Sequence, residues 1–324
     1  MSTMTMAKAL NAGLRRALDA NPKVLLFGED IGKLGGVFRI TEGLQKDFGE
    51  ERVIDAPLAE SGIIGTSFGM AMRGYRPVIE IQFDGFVYPG FDQIVSQVAK
   101  FHNRTNGRSS VPMVVRIPYG GGIGAIEHHS ESPEAYFVHT AGLKVVTCSN
   151  PNDAYWMIQQ AVASDDPVIF LEPKRRYHDK GEVVHESKPI ALHQARIVRG
   201  GTDATLIAYG PMVKTCVEAA TIAEEEGRSL EVIDLRSLSP IDMVTLTHSV
   251  RRTRRAVVVH EDVRTLGVGA EVAARLGEEL FYLMESPVLR VTGHDLPYPN
   301  SRVESDFLPD VDRILDAVDR SLAY

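Results

Sequence analysis

The chain contains only two cysteines, Cys148 and Cys216, in 324 residues, and no CxxC pair occurs. This scarcity excludes a disulfide framework and a cysteine-built zinc site. Long hydrophobic runs are also absent, since no apolar stretch approaches the ~20 residues that a membrane-spanning helix needs. The N-terminus lacks the basic-then-apolar layout of a secretion signal, so we expect a cytoplasmic protein without a membrane partner.

Positive charge is in the minority as well. The 35 Lys and Arg are outnumbered by 43 Asp and Glu, which gives a formal net charge of −8. A nucleic-acid surface needs a basic field, so we expect no nucleic-acid partner. The one basic run, residues 251–255, falls where a helix should end before a strand. Cations are favoured at that end of the helix dipole, so we interpret the run as a solvated helix end.

One common catalytic signature, the phosphate loop GxxxxGK[ST], is missing. The segment Tyr119–Ala125 nearly satisfies GxGxxG/A, but a dinucleotide fingerprint needs a helix to open within the loop. Here the polar segment 127–133, which ends in proline, follows instead. We therefore favour a loop at the carboxyl end of a strand, where open α/β sheets bind ligands.

Apolar strands alternate with helices along the chain, which predicts parallel sheets with helices on both faces. The length suits two domains. A polar segment with little pattern separates the two series, and we place a linker there. The predicted division is a first α/β domain at 1–180, a linker at 181–194 and a smaller α/β domain at 195–324.

The segment from Arg52 to Phe86 predicts a strand, a helix and a second strand. Glu60 stands at the start of the helix, followed by glycines at 62, 65 and 69. Each interior glycine costs a helix about 1 kcal/mol relative to alanine. We therefore expect another helix or a ligand to approach this helix closely. Gln82, Phe83 and Phe86 end the second strand, so the segment can form the wall of a cofactor site.

The polar segment 127–131 carries Glu127, His128, His129 and Glu131. Three interpretations remain open: a metal site, an exposed loop without chemistry, and a catalytic or substrate-orienting histidine. Adjacent histidines rarely point at one ion, whereas imidazole titrates near neutrality and loops in this position carry function. Those two properties favour the catalytic interpretation.

Several motifs together resemble the β subunit of the 2-oxo acid dehydrogenases, the thiamine-dependent decarboxylating component of the branched-chain, pyruvate and acetoin complexes. The resemblance runs from the first helix to the C-terminus, and the combined motif set is highly specific. Its motifs are LFGED (26–30), GGVF (35–38), DAPLAESGIIG (55–65), EIQF (80–83), FDQI (91–94), PYGGG (118–122), HHSESPEA (128–135), PVIFLEPKR (167–175) and VIDLRSLSP (232–240).

The resemblance implies a transketolase-like pyrimidine-binding domain followed by a transketolase C-terminal domain. It also implies that thiamine diphosphate is shared with an α subunit in an α2β2 tetramer, with the GDG motif and its Mg²⁺ on the α side, since this chain has no GDG motif. By motif position Glu60 hydrogen-bonds N1′ of the aminopyrimidine. Leu58, Gln82 and Phe86 match the pyrimidine pocket, and His129 matches a histidine that faces the substrate.

The resemblance further implies a structural potassium ion near the end of the helix before PVIF. Ser164 stands where the family usually has Asp, with Asp165 adjacent. The matching positions are Met113, Ala161, Val162, Ser164 and Asp166.

The resemblance also implies a substrate and partners. EIQF and EPKR resemble the branched-chain members, so we expect branched-chain 2-oxo acids such as 3-methyl-2-oxobutanoate, with pyruvate second and acetoin third. The acyl group would pass to a lipoylated acyltransferase core, whose peripheral-subunit-binding domain would dock on this protein.

Two alternatives are a scaffold subunit without chemistry and a self-contained transketolase-like enzyme. The joint presence of Glu60, Gln82 and His129 disfavours the first, and the missing GDG motif disfavours the second.

Overall fold

The computed structural model describes residues 1–324, which form two units. The first unit contains residues 1–119 and 136–192, and the second contains residues 120–135 and 193–324. The sequence-based division differs mainly in one respect: residues 120–135, which carry both adjacent histidines, group with the C-terminal part of the chain.

The first unit is built on a parallel sheet. Its strands β2 to β7 lie in the order β6-β7-β5-β4-β2-β3, and every neighbouring pair is parallel. The strands β1 and β8 pair antiparallel in a separate two-stranded sheet. Parallel strands are apolar along their whole length because helices cover both faces of the sheet. The strands are Ser2–Thr5 (β1), Val24–Gly28 (β2), Val53–Asp55 (β3), Arg76–Glu80 (β4), Val114–Tyr119 (β5), Lys144–Thr147 (β6), Val168–Pro173 (β7) and Lys180–Val183 (β8).

Helix starts in the chain follow local capping chemistry. The side chain of Thr5 accepts the backbone N–H of Lys8 at the start of the first helix, and the side chain of Asn150 accepts that of Asp153 at the start of the sixth. Such caps satisfy N–H groups that have no partner inside the helix. The helices up to residue 163 are Met6–Ala20 (α1), Leu44–Phe48 (α2), Glu60–Met72 (α3), Phe101–Arg104 (α4), Glu134–Val138 (α5) and Pro151–Ala163 (α6).

The helical spacing of the apolar residues in 91–103 predicts a single α-helix there, and this expectation is wrong. Residues 91–103 do not form one α-helix, because a π-helix (Gln93–Val98) precedes α4. The apolar spacing identified the buried residues Ile94 and Val98 but not the hydrogen-bond register. Within the chain no group lies against the glycines of α3, since a Cβ would meet nothing nearer than 3.5 Å at Gly62 and 3.7 Å at Gly65, and the close approach of a ligand to this helix stays a prediction.

The second unit has a five-stranded sheet in the order β14-β13-β10-β11-β9, parallel except for the edge strand β9. The antiparallel edge strand was not expected from the sequence, because its residues are only partly buried and lack an apolar run. The strands are Arg196–Arg199 (β9), Ala204–Ala208 (β10), Leu230–Asp234 (β11), Ser237–Ser239 (β12), Ala256–Val263 (β13) and Leu289–Gly293 (β14).

Helices and strands alternate in the second unit as the sequence predicts. The pair Ser239-Pro240 predicts a helix with proline at its first position. The helix α8 (Met243–Thr253) instead begins further along, where the side chain of Asp242 accepts the backbone N–H of Thr245 and caps the helix. The basic run ends α8, as expected. No helix of the protein is both long and apolar enough to span a bilayer. The helices are Met212–Glu225 (α7), Met243–Thr253 (α8), Val268–Leu280 (α9), Glu304–Phe307 (α10) and Val311–Leu322 (α11).

Candidate active site

Two buried carboxylates lie at the carboxyl edge of the first unit's sheet. Glu60 is the first residue of α3, as predicted, and is 8% exposed. Glu29 directly follows β2 and is 7% exposed. Burial raises the pKa of Glu29, and the charge of Glu60 raises it further, while a hydrogen bond from the backbone of Ala59 opposes the shift. The two carboxylates therefore lie close enough to interact electrostatically at this edge of the sheet.

Glu29 also carries a buried oxygen, Oε1, that has no hydrogen-bond partner within the protein. Buried polar atoms in native proteins are nearly always hydrogen-bonded, so an atom of this kind indicates a partner supplied from outside the chain. Leu58 is 82% exposed in the turn just before Glu60. A buried acceptor beside an exposed apolar side chain fits a ligand that is part polar and part apolar.

Gln82 and Phe86 follow the neighbouring strand β4, which ends earlier than the sequence predicts, at Glu80, so that Phe86 lies in the 3-10 helix Asp84–Gly90. Gln82 follows β4, and its Nε2 donates to the carbonyl of Glu29 at 3.4 Å and to Asp30 Oδ2 at 3.3 Å. The Phe86 ring packs edge-on against Phe83, with centroids 5.9 Å apart. The structure thus places Gln82 against the backbone of Glu29, the residue whose pKa is raised by the charge of Glu60. Leu58, which was also predicted to lie in the pocket, is exposed.

A buried ion pair supports the segment that carries Phe86. Asp84 starts the 3-10 helix Asp84–Gly90, and its carboxylate is bonded to Lys174, which follows β7. Neither side chain is exposed, and the Lys174 ammonium lies 5.8 Å from the centre of the Phe83 ring. Sequence reasoning missed this pair. The available signal was a lysine directly after the apolar strand 168–173.

A second buried charge network crosses three strands of the sheet. Arg116 of β5 donates to both oxygens of Glu172 in β7, at 2.6 and 2.9 Å, and to Glu80 of β4 at 2.7 Å. The hydroxyl of Tyr177 donates to Glu172 at 2.7 Å. Burial raises the pKa of Glu80, although the charge of Arg116 opposes that shift. Sequence reasoning missed the network, because each charged residue stands alone inside an apolar strand.

His129 belongs to the second unit, whereas Glu60, Gln82, Phe86 and Leu58 belong to the first. The rings of His128 and His129 meet edge to face with centroids 4.8 Å apart, and His128 Nδ1 lies 3.5 Å from Glu127 Oε1. Hydrogen bonds from its own backbone N–H and from His128 lower the pKa of Glu127. No group of three His, Cys, Asp or Glu side chains able to hold a metal ion is present.

The carbonyl groups predicted to hold potassium lie at the C-terminal end of α6. Arg76 donates to the carbonyl oxygens of Val162 and Ser164, at 3.1 and 2.8 Å, and its guanidinium pairs with Asp165. A guanidinium therefore supplies positive charge at this helix end. A carbonyl oxygen can accept a second partner, so a potassium ion would share these oxygens with Arg76. The carbonyl groups of Ala161 and Met113 accept the N–H groups of Ser164 and Val168.

Comparisons with known proteins agree with this architecture. The family model of the transketolase pyrimidine-binding domain matches residues 2–180, and that of the transketolase C-terminal domain matches residues 193–314. A solved structure described as a split gene transketolase, an inactive β4 tetramer, superposes with a TM-score of 0.83 over 99% of this chain and 98% of its own. Its sequence identity is 22%, so this likeness concerns the fold.

Sequence relatives define the group more narrowly. The chain is 62% identical over its full length to the pyruvate dehydrogenase E1 component subunit beta of Leifsonia xyli subsp. xyli, covering 96% of that protein. It is 54% identical over 99% of its length to the 3-methyl-2-oxobutanoate dehydrogenase subunit beta of Mycobacterium tuberculosis, covering 92% of that protein. The chain therefore belongs to the transketolase-like proteins and, among them, to the E1 β subunits of the 2-oxo acid dehydrogenases.

Proposed function

We propose that this chain is the catalytic β subunit of a thiamine diphosphate-dependent 2-oxo acid dehydrogenase that acts only with an α subunit. The observation that carries the proposal is the buried Glu60 carboxylate at the start of α3, beside a buried oxygen of Glu29 that has no partner in the chain. A scaffold subunit has no need to bury two carboxylates next to each other, because burying a polar group without a partner is costly.

The residues of the pocket fit an aminopyrimidine. Glu60 would accept or share a proton at a ring nitrogen, Phe86 and Leu58 would cover the apolar faces, and Gln82 would hold the Glu29 segment in place. Bound thiamine diphosphate would supply the electron sink for decarboxylation. Since this chain has no GDG motif, we propose that the α subunit would hold the diphosphate and Mg²⁺.

The proposed substrates are branched-chain 2-oxo acids of the 3-methyl-2-oxobutanoate type. The EIQF and EPKR segments and the name of the 54% identical relative support this choice. Pyruvate is the second candidate, because the 62% identical relative carries a pyruvate dehydrogenase name. The acyl group would pass to the lipoyl group of an acyltransferase core, with His129 facing the substrate and the core's peripheral-subunit-binding domain as a docking partner.

Potassium at the end of α6 remains a further part of the proposal, through Met113, Ala161, Val162, Ser164 and Asp166. An ion that binds only the folded state raises the melting temperature. The site is therefore tested by measuring the melting temperature of the protein in KCl and in NaCl at equal ionic strength. A melting temperature that is higher in KCl than in NaCl supports the potassium site, and equal melting temperatures contradict it.

The proposed role of Glu60 is tested with Glu60→Gln, purified as the tetramer with its α subunit. Because the amide cannot hold a proton as the carboxyl group does, we expect exchange of the cofactor's C2 proton for deuterium to slow at least 100-fold, the scale of general acid–base catalysis. Glu50→Gln, at an exposed turn, is the control and should exchange at the unsubstituted rate. Equal exchange rates in the Glu60 and Glu50 variants would sink the assignment.

The substrate is tested by decarboxylation with the same tetramer and an artificial electron acceptor, comparing 3-methyl-2-oxobutanoate, 4-methyl-2-oxopentanoate and pyruvate. Higher kcat/KM for the two branched acids supports the proposal. A preference for pyruvate overturns the substrate and keeps the chemistry. No turnover from an assembled tetramer favours the scaffold alternative.

A further inference from the structure

The backbone N–H groups of the glycine loop after β5 are held by two carboxylates of the second unit. Gly121 N donates to Glu261 Oε2 at 3.1 Å. Gly122 N and Gly124 N donate to the two oxygens of Glu304, at 2.8 and 3.1 Å. A loop whose sequence resembles a phosphate cradle therefore holds anionic side chains of its own chain.

This arrangement depends on glycine and on a tyrosine. The backbone at Gly122 has φ +84°, a conformation that residues with a Cβ rarely adopt. A Cβ at Gly121 would lie 1.8 Å from the hydroxyl oxygen of Tyr298, so only glycine allows this approach. That hydroxyl donates to Glu304 at 2.6 Å, and its oxygen accepts from Gly122 N at 3.3 Å. Glu304 is buried, and its carboxylate accepts three hydrogen bonds, from Gly122 N, Gly124 N and the Tyr298 hydroxyl.

The same loop carries the adjacent histidines. Gly120 N donates to the carbonyl of Glu131 at 2.9 Å, which closes the segment 120–131 at its base. His129 N donates to the carbonyl of Ile126 at 3.0 Å, within the short turn that follows the glycines. Fixing Gly122 and Gly124 to Glu304 therefore restricts where the His129 segment can lie.

We propose that Glu304, supported by Tyr298, is a positioning residue that holds the glycine loop so that His129 faces the substrate. The proposal rests on the role given to His129 under the proposed function. Glu304 acts only through the loop, and its carboxylate form matters because both oxygens must accept an N–H. A glutamine offers one carbonyl oxygen and presents its own N–H₂ to the second donor.

The test uses Glu304→Gln in the assembled tetramer, with Glu278→Gln, exposed on α9 of the same unit, as the matched control. Hydrogen–deuterium exchange of residues 120–131 reports the loop directly. Loss of a hydrogen bond to a buried charged group shifts an equilibrium about 10- to 100-fold. We expect loop exchange to accelerate by that factor, and acyl transfer to a lipoyl domain to lose a similar factor in kcat/KM.

A general structural defect would also slow C2 exchange, which depends on Glu60 in the other unit. We expect the rate of C2 exchange to stay at the control value in Glu304→Gln while acyl transfer falls. Tyr298→Phe keeps the carboxylate and should give a smaller effect in the same direction, so it serves if Glu304→Gln does not assemble.

Unchanged loop exchange, or acyl transfer equal to that of the control, would overturn the positioning role and leave the proposed function intact. A parallel fall in C2 exchange and acyl transfer would also overturn it. By contrast, no turnover by the unsubstituted tetramer would refute the proposed function itself.

Discussion

Arg116 offers the sharpest test of how the first unit is held together. It is 1% exposed and is the cation between Glu80 and Glu172 on neighbouring strands. Arg116→Met keeps much of the side-chain volume but leaves both carboxylates buried without their partner. Breaking a buried ion pair from one side typically destabilises a protein by about 3–5 kcal/mol.

That magnitude converts to a large thermal shift. Each kcal/mol moves the melting temperature by about 2–4 °C in a domain of 150–250 residues, so Arg116→Met should melt roughly 6–20 °C lower. Arg320→Met is the matched control, because Arg320 pairs with Asp316 at 3.6 Å on the surface. An exposed pair of this spacing contributes at most about 0.5 kcal/mol.

The pH dependence gives the prediction a second, independent readout. Burial already raises the pKa of Glu80, and loss of Arg116 removes the charge that opposes this rise. A carboxyl whose folded pKa exceeds its unfolded value, near 4.3, stabilises below that value and loses this contribution as pH rises through the folded pKa. The deficit of Arg116→Met should therefore be larger at pH 8 than at pH 5.5.

The assay is urea unfolding of both variants and the unsubstituted protein at the two pH values, followed by circular dichroism. A deficit of Arg116→Met no larger than that of Arg320→Met would refute the reasoning. So would a deficit of several kcal/mol that is the same at both pH values, because the destabilisation would then arise from packing and not from an uncompensated charge.

Two further substitutions test backbone strain and the exposed site residue. Gly142→Ala should lower the free energy of unfolding in urea by about 3 kcal/mol or more, because Gly142 has φ +101° and a Cβ there would clash with the Ala99 carbonyl oxygen. The control Gly74→Ala, with φ +86° and open space around the Cβ, should lower it by about 1–2 kcal/mol. Equal losses in the two variants would contradict the close approach at Gly142. Leu58→Ala should change the unfolding free energy of the isolated chain by no more than about 0.5 kcal/mol, since Leu58 is 82% exposed. In the tetramer the same substitution should weaken thiamine diphosphate binding about tenfold, as measured by calorimetry. An unchanged affinity would show that Leu58 is not part of the pocket.

The sequence by itself determined the alternation of the main parallel strands with helices and the position of Glu60. Alternating apolar strands and helices identify parallel sheets because a strand covered on both faces is apolar throughout. An acid at the first position of the glycine-containing helix α3 marked the helix start, since the helix dipole favours an anion there. The basic end of α8 followed from the same local chemistry. Local signals suffice where neighbours along the chain decide the outcome.

Only the tertiary structure decided which distant charges meet. Arg116, Glu80 and Glu172 stand 36 and 56 positions apart in the chain, and nothing local marks them as partners. Likewise Glu304 accepts a hydrogen bond from the backbone N–H of Gly122, 182 positions away in the chain, so the glycine loop binds a carboxylate of its own chain. Pairing in a parallel sheet and loop docking depend on long-range packing, and that information does not lie in any window of the sequence.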